Sequence, residues 1–322
     1  DLHSFPTRRS SDLRTWSALT ELLSRLDQAD VSLPDRGPMD LGLAKLPSII
    51  PYDSDRNRTA PVAFTGDKFE FRAPGASQSI ALPVTMFASL WAWGVQQMTD
   101  MIEERSSGGK DPMDVALDAV KEAVRRGGDV LFEGDAYSRE WHEEARKRGL
   151  IQAGDMPGKI DLLLLPENKK MLEELGVFHE HELEALHDIR MEAFVRSLEI
   201  EVAILYDMLW EGILPALSKQ LILEKNSLSA LDGMEFPEGE PWREYILGLG
   251  RTRAALIEDA HRLNELRGRM AELPVRERAD FLVGTAIPLM DSIRRRCDAA
   301  EVNMAADIWP YPISRNLLSL SV

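Results

Sequence analysis

The chain has 322 residues, of which 44% are hydrophobic and 18 are prolines, so we expect a soluble globular protein with one or two substantial cores. Its net charge of −16 argues against a general nucleic-acid-binding role, because phosphate backbones attract a basic surface. The single cysteine, Cys297, excludes an intramolecular disulfide and favours a reducing compartment such as the cytoplasm.

The first residues carry no structural pattern. Residues 1–13 resemble a translated sequencing adapter joined to a gene fragment, and they lack the continuous apolar core of a signal peptide. A native disordered tail is the alternative. After this tail, leucines at helical spacing predict a helix over residues 14–26, and proline and glycine predict irregular structure over residues 33–51.

A strand is predicted at about residues 62–73. Side chains alternate along a strand, so Lys68, Glu70 and Arg72 share one face while Phe69 and Phe71 share the other. Each cation then lies roughly 7 Å from the carboxylate, an arrangement that can hold a divalent metal ion beside an anionic substrate. The alternative is an ordinary antiparallel strand that buries the two phenylalanines and exposes the three charges.

Three helices are predicted next. The apolar run from Ile80 to Val95 is shorter than the ~20 residues of a bilayer span, so we expect a buried helix that packs on the sheet and continues to Glu104. Asp111 before Pro112 is typical of a helix N-terminus, and a further helix is predicted from about Ser138.

Longer helices follow and predict an antiparallel bundle. Apolar residues recur at three or four positions from Glu180 to about Leu223, which indicates one long helix kinked or interrupted at Pro215. Two more helices are predicted at about residues 242–272 and 275–307, with a possible kink at Pro288.

The C-terminal region contains two further features. We expect Trp309 to anchor a non-helical segment that crosses back over the bundle, because the neighbouring prolines lack amide donors. Cys297 lies among arginines, which could lower its pKa, but a surface thiol beside solvated arginines is the preferred interpretation.

Two short motifs invite a ligand interpretation and fail on spacing. The segment 179–182, with His187 further on, lacks the second histidine four residues after the first that an HExxH zinc site requires. The segment 108–110 lacks the first glycine and the final Ser or Thr of a phosphate-binding loop, so we interpret it as a loop.

The region around the predicted strand resembles a known family. Residues 55–67, running into residues 68–72 and then 77–79, are similar to the C-terminal part of the catalytic domain of glutamine synthetases, closest to the long bacterial type III form. The resemblance extends from about residue 38 to the C-terminus, and it continues in residues 175–178, 213–216, 308–312 and 315–318.

This resemblance implies an α+β fold that is mostly α: a remnant of the catalytic sheet with packed helices, followed by an antiparallel helical bundle. It implies three segments, namely the tail of residues 1–13, a truncated catalytic part over residues 14–175 and a helical domain over residues 176–322. The upstream half, with most metal ligands of the family, is expected to lie outside this chain.

The resemblance also implies an activity, ATP-dependent ligation of glutamate and ammonia through a γ-glutamyl phosphate. It further implies that the activity requires Mg²⁺ or Mn²⁺ and that the intact protein forms a ring-shaped homo-oligomer. By motif position, Glu70 is the implied metal ligand, Arg58 and Arg72 are the implied catalytic residues, and Arg58 and Lys68 are implied to contact the nucleotide. Other forms carry a second arginine where this chain has Ala63, so that role is absent or supplied from elsewhere.

We therefore expect a fragment of a cytoplasmic glutamate–ammonia ligase that is inactive alone, because Glu70 lacks its partner ligands. The alternative is a non-catalytic helical scaffold or assembly module derived from the same family.

Overall fold

The computed structural model describes residues 62–64, 69–72, 79–106, 109, 111–130, 135, 137–230 and 239–312. Within these residues the protein is mostly helical. The strands are β1 (Val62–Phe64) and β2 (Phe69–Phe71). The α-helices are α1 (Ala81–Ser106), α2 (Pro112–Gly127), α3 (Arg139–Lys147), α4 (Met156–Asp161), α5 (Pro166–Glu174), α6 (Glu180–Asp207), α7 (Leu214–Ser229), α8 (Gly239–Met270), α9 (Val275–Phe281) and α10 (Ile287–Glu301). Two π-helical segments, π1 (Met208–Ile213) and π2 (Leu282–Ala286), join α6 to α7 and α9 to α10.

The chain divides into two compact units. Unit 1 comprises residues 1–153 and 169–179, and unit 2 comprises residues 154–168 and 180–322. The predicted boundary between residues 175 and 176 stays a prediction. No helix in the described part of the chain has the length and apolar content needed to cross a membrane.

Unit 1 contains the strands and helices with well-defined N-termini. β1 and β2 pair antiparallel. As predicted, Asp111 caps α2, where its carboxylate accepts a hydrogen bond from the amide of Met113. Ser138 caps α3 in the same way, and Gly149 follows the helix with a positive φ of 73° that glycine adopts readily.

The prediction that α1 is a buried helix was wrong. Only Ser89 and Met101 of this helix are buried, while Leu90, Trp91 and Val95 are exposed. The two described strands have three residues each and contact this helix through Phe69 and Phe71, so the predicted packing on the strands is present.

Unit 2 is an up-down-up bundle built on one apolar core. Trp242 Nε1 at the start of α8 donates to Glu224 Oε2 near the end of α7, at 2.8 Å. Arg253 Nε donates to Ser218 Oγ, also at 2.8 Å. Residues later in α8 thus contact residues earlier in α7, so the predicted antiparallel arrangement is confirmed for this pair.

α8 and α10 also run antiparallel. The hydroxyl of Tyr245 donates to the carbonyl of Asn303, and further along Arg296 pairs with Asp259. Asp259 is buried, and its Oδ2 lies 3.1 Å from Arg296 Nε without hydrogen-bond alignment. Arg262 Nη1 also lies 3.6 Å from Asp259 Oδ1, so two partly exposed arginines compensate the buried carboxylate.

The predicted interruption at Pro215 takes the form of a widened turn. Proline lacks an amide hydrogen, and its ring clashes with the carbonyl four residues earlier. In π1 the backbone hydrogen bonds join residues five apart instead of four, as the bond from the amide of Leu214 to the carbonyl of Leu209 shows. The same kind of segment, π2, ends just before Pro288. Pro215 and Pro288 are thus accommodated without ending the helical segments in which they lie.

The C-terminal segment closes the core as predicted. Trp309 is buried among the core residues, and its amide donates to the carbonyl of Ala305. The hydroxyl of Tyr311 donates to the carbonyl of Met208 in π1, at 3.2 Å. Aromatic side chains therefore tie this non-helical segment to the bundle.

The expectation of a surface thiol at Cys297 was wrong. The side chain is only 6% exposed and belongs to the bundle core. Burial raises the pKa of this thiol to about 11, because a thiolate is disfavoured away from water. Cys297 acts as a small core residue.

The close approach of Tyr311 to Gly212 gives a stability prediction. A Cβ at Gly212 would lie 2.6 Å from Tyr311 Oη and 3.0 Å from its Cζ, so Gly212→Ala must displace a ring that is hydrogen-bonded to Met208. We expect a loss of about 1–2 kcal/mol in the free energy of unfolding, measured by urea titration, although alanine is the better helix former.

Gly284→Ala is the matched control, because Gly284 lies in π2 and its Cβ would meet nothing within 4 Å. This variant should be neutral or slightly stabilising. In a Tyr311→Ala background the penalty at Gly212 should disappear, and a penalty that persists there would contradict the steric explanation.

Candidate functional site

Two of the predicted site residues, Glu70 and Arg72, lie at β2 in unit 1, which pairs with β1. Val62 pairs with Phe71, Ala63 with Glu70 and Phe64 with Phe69. The extended backbone predicted for residues 69–71 is therefore confirmed. One strand was predicted over residues 62–73, whereas the structure has two antiparallel strands, of which β1 begins at Val62 and β2 ends at Phe71.

Glu70 and Arg72 lie on the same face of β2, as the alternation predicted. Arg72 Nη2 is 3.3 Å from Glu70 Oε2. The Glu70 side chain is 47% exposed and that of Arg72 is 26% exposed, so water screens this pair and its own contribution to stability is about 0–1 kcal/mol. The carboxylate is accessible to a ligand from solvent.

The other face of β2 packs on α1. The rings of Phe69 and Trp91 have centroids 4.8 Å apart in an edge-to-face arrangement, and those of Phe71 and Phe87 are 4.9 Å apart. The two phenylalanines are nevertheless 55% and 37% exposed, so the alternative prediction of a strand that buries them was wrong. These contacts fix which way β2 faces and thereby place Glu70 and Arg72 on the opposite side.

The register also locates the departure from the family pattern. Position 63, where other forms carry an arginine, is directly opposite Glu70 across the ladder.

Two of the predicted site residues, Arg58 and Lys68, lie outside the described residues. Within the described part of the chain, no group of three or more His, Cys, Asp or Glu side chains could hold a metal ion. The roles assigned to Glu70, Arg72, Arg58 and Lys68 therefore remain predictions.

Unit 2 contains a polar cluster that the sequence did not reveal. His187 Nε2 lies 3.0 Å from Asp161 Oδ1, and His187 Nδ1 lies 3.0 Å from Asp188 Oδ1. The second carboxylate oxygen of Asp161 accepts from Arg276 Nη2 at 2.9 Å. Asp161 thus connects α4 to α6 and α9, and since it is 115 residues from Arg276, no local spacing could have indicated the contact.

Comparisons with known proteins agree with the predicted relationship. Residues 116–229 match the family described as glutamine synthetase C-terminal domain. Over 314 residues the chain is 26% identical to a glutamine synthetase of Bacteroides fragilis, covering 94% of this chain and 42% of that protein. Over 309 residues it is 28% identical to the type-3 glutamine synthetase of Dictyostelium discoideum, covering 92% and 41% respectively.

A glutamine synthetase of Butyrivibrio fibrisolvens is 26% identical over 290 residues, covering 83% of this chain and 38% of that protein. The chain thus spans about two fifths of the length of the curated relatives it matches. The similarity supports an origin in this family and includes residues of both compact units.

The histidine cluster predicts a pH dependence of stability. Burial alone lowers the pKa of His187, but the hydrogen bonds to Asp161 and Asp188 outweigh it and raise the pKa above its usual value. Stability from the charged imidazole is therefore complete below the unfolded-state pKa of about 6.5 and is lost as pH rises through the folded-state pKa.

We expect His187→Gln to lower the free energy of unfolding by about 1 kcal/mol at pH 5.5 and by less at pH 8.5, measured by urea titration. His142→Gln is the control, since His142 contacts the neutral Gln152 at 3.0 Å. An equal effect of His187→Gln at both pH values would contradict the assignment.

Proposed function

We propose that this chain is part of an ATP-dependent glutamate–ammonia ligase, a glutamine synthetase. Such an enzyme transfers the terminal phosphoryl group of ATP to the side-chain carboxylate of glutamate, and ammonia then displaces phosphate from the γ-glutamyl phosphate. The observation that carries the proposal is the juxtaposition of Glu70 and Arg72 on one accessible face of β2, in a chain similar to glutamine synthetases over most of its length.

The chemistry of Glu70 fits a divalent ion. Carboxylate oxygens are hard donors of the kind that Mg²⁺ and Mn²⁺ prefer, and this one is accessible. A bound ion would neutralise charge on the transferring phosphoryl group. One carboxylate supplies only a fraction of about six ligands, so we assign the remaining ligands to other residues of the enzyme.

The arginines have a separate role in the proposal. Arg72, 3.3 Å from Glu70, is placed to pair with an anionic oxygen bound beside that carboxylate. Its planar group can hold two oxygens of a carboxylate or phosphate at once. We assign Arg58 a similar contact to phosphate and Lys68 a contact near the nucleotide, by motif position alone.

The proposal extends to the environment of the enzyme. We place it in the cytoplasm as a large homo-oligomer with glutamate, ammonia and ATP as substrates, with no role in nucleic-acid or membrane binding. The single cysteine, which is buried, fits a reducing compartment.

The alternative function is a non-catalytic helical scaffold of the same origin. Glu70 is half-exposed and already engaged by Arg72, and most described residues belong to helices. A strand motif retained only for its fold would present the same geometry.

The proposal predicts that the isolated 322-residue chain forms no glutamine. Glu70 requires partner ligands, and the chain spans only about two fifths of the length of its relatives. The measurement is ATP-dependent conversion of glutamate and ammonia in the presence of Mg²⁺ or Mn²⁺. Clear turnover would contradict this prediction.

Within the full-length protein, Glu70→Ala should lower kcat at least about 100-fold, because it removes a ligand that acts on the transferring phosphoryl group. Excess Mn²⁺ should restore part of the loss if Glu70 binds the ion. The assay is glutamine formation as a function of metal concentration.

Glu143→Ala is the matched control, since Glu143 is 49% exposed and pairs with Arg139 much as Glu70 pairs with Arg72. It should leave both kcat and the metal dependence unchanged. Unchanged activity in Glu70→Ala would instead favour the scaffold.

A further inference from the structure

Asp161 of α4 connects three helices of unit 2 through two basic side chains. One of its carboxylate oxygens lies 3.0 Å from Nε2 of His187 on α6, and the other accepts from Nη2 of Arg276 on α9, at 2.9 Å. The second ring nitrogen of His187 lies 3.0 Å from a carboxylate oxygen of Asp188. We call Asp161, His187, Asp188 and Arg276 the docking cluster.

Helix α4 needs such contacts because it is short. It has six residues, whereas isolated helices shorter than about 12 residues are marginally stable in water. It belongs to unit 2, although the residues before 154 and those from 169 to 179 belong to unit 1. Pro157 is buried, and Ile160 packs against the core of the bundle. Contacts with residues distant in sequence therefore keep α4 on the bundle.

The position of Asp161 also favours a nearby cation. It is the last residue of α4, where the peptide dipoles place partial negative charge, so its carboxylate alone would destabilise the helix. The guanidinium of Arg276 and a charged His187 offset this repulsion. Loss of either charge is therefore expected to weaken α4 as well as its contact with the bundle.

The geometry of His187 requires the charged form of its ring. Both ring nitrogens lie within hydrogen-bond distance of carboxylate oxygens, and an ionised carboxylate can only accept. A neutral imidazole has one N–H and can donate to only one of the two, whereas the imidazolium donates to both. The side chain is 13% exposed, so water has little access to replace a lost bond.

The charges around His187 come from three helices. α4 contributes Asp161, α6 contributes Asp188, and α9 contributes Arg276, which also pairs with Asp280. The leucine turn that follows α4 adds no charge. Burial alone lowers the pKa of His187, but the two carboxylates outweigh it and raise the pKa above its usual value.

We propose that the docking cluster is a pH-sensitive contact, which attaches α4 firmly to the bundle when His187 is charged and loosens α4 when His187 is neutral. A neutral ring with its proton on Nε2 keeps the bond to Asp161 without the charge, and the other tautomer loses that bond. Arg276 stays charged, so α4 is weakened and not released. The inference does not depend on the proposed function, and the 322-residue chain tests it without an activity assay.

The first experiment is amide hydrogen exchange of α4 between pH 5.5 and pH 8.5. The attachment is complete below the unfolded-state pKa of about 6.5 and weakens as pH rises through the folded-state pKa of His187. We expect the protection factors of the α4 amides to fall about fivefold over this range, because a charge-assisted hydrogen bond is lost or weakened.

Dilute urea shows whether this opening is local. The α4 amides should exchange faster than those of α8, with little dependence on urea, because opening a six-residue helix exposes little surface. Exchange of α4 at the same rate and with the same urea dependence as α8 would mean that α4 opens only when the whole bundle unfolds, and would overturn the proposal.

Three variants separate the two cations of the docking cluster. His187→Gln should abolish the pH dependence of α4 protection. Arg276→Gln should lower α4 protection at both pH values and keep the pH dependence, because arginine stays charged throughout this range. His142→Gln is the control, since His142 contacts the neutral Gln152, and it should change nothing at α4. A pH dependence that survives in His187→Gln would overturn the proposal.

Nitrogen-15 spectra of the histidine rings test the charge state directly, with the His187 signals identified by their absence in His187→Gln. At pH 5.5 both ring nitrogens of His187 should carry a proton, and Asp161→Asn should lower the midpoint of the titration because it removes a negative charge. A midpoint at or below the ordinary value of about 6.5 in the unchanged chain would contradict the charged contact.

Discussion

The bundle of unit 2 depends on how two long helical segments accommodate a proline each, Pro215 in one and Pro288 in the other. A proline in a helix interior removes one hydrogen bond and clashes with a carbonyl of the preceding turn. The wider turns of π1 and π2 avoid that clash, so α6 and α7 form one continuous helical segment, and so do α9 and α10. Because neither segment breaks, apolar residues from both ends of each segment belong to one continuous core.

The widened turn π1 also creates the place where the C-terminal segment docks. Gly212 leaves room for the ring of Tyr311, whose hydroxyl donates to the carbonyl of Met208 in the same segment. Trp309 then enters the core two residues earlier. The turn that contains Gly212 and precedes Pro215 therefore contacts aromatic residues about 100 positions later in the chain. A change on either side of this contact is expected to affect the other.

Local patterns in the sequence predicted the helices and their caps, because such features depend on neighbouring residues. The cap at Asp111 and the start of a helix near Ser138 are of this kind. Burial was harder to predict. Cys297 was assigned to the surface and α1 to the interior, and both were wrong because burial depends on what packs against a helix rather than on its own composition. The contact between Asp161 and Arg276 carried no local signal at all.

For the candidate site, the sequence predicted correctly that Glu70 and Arg72 share one face of β2. It did not predict which other residues would complete a site around them. β2 places Glu70 and Arg72 together because its other face packs on α1. A metal site requires several converging ligands, and such convergence is a tertiary property that no single strand can encode.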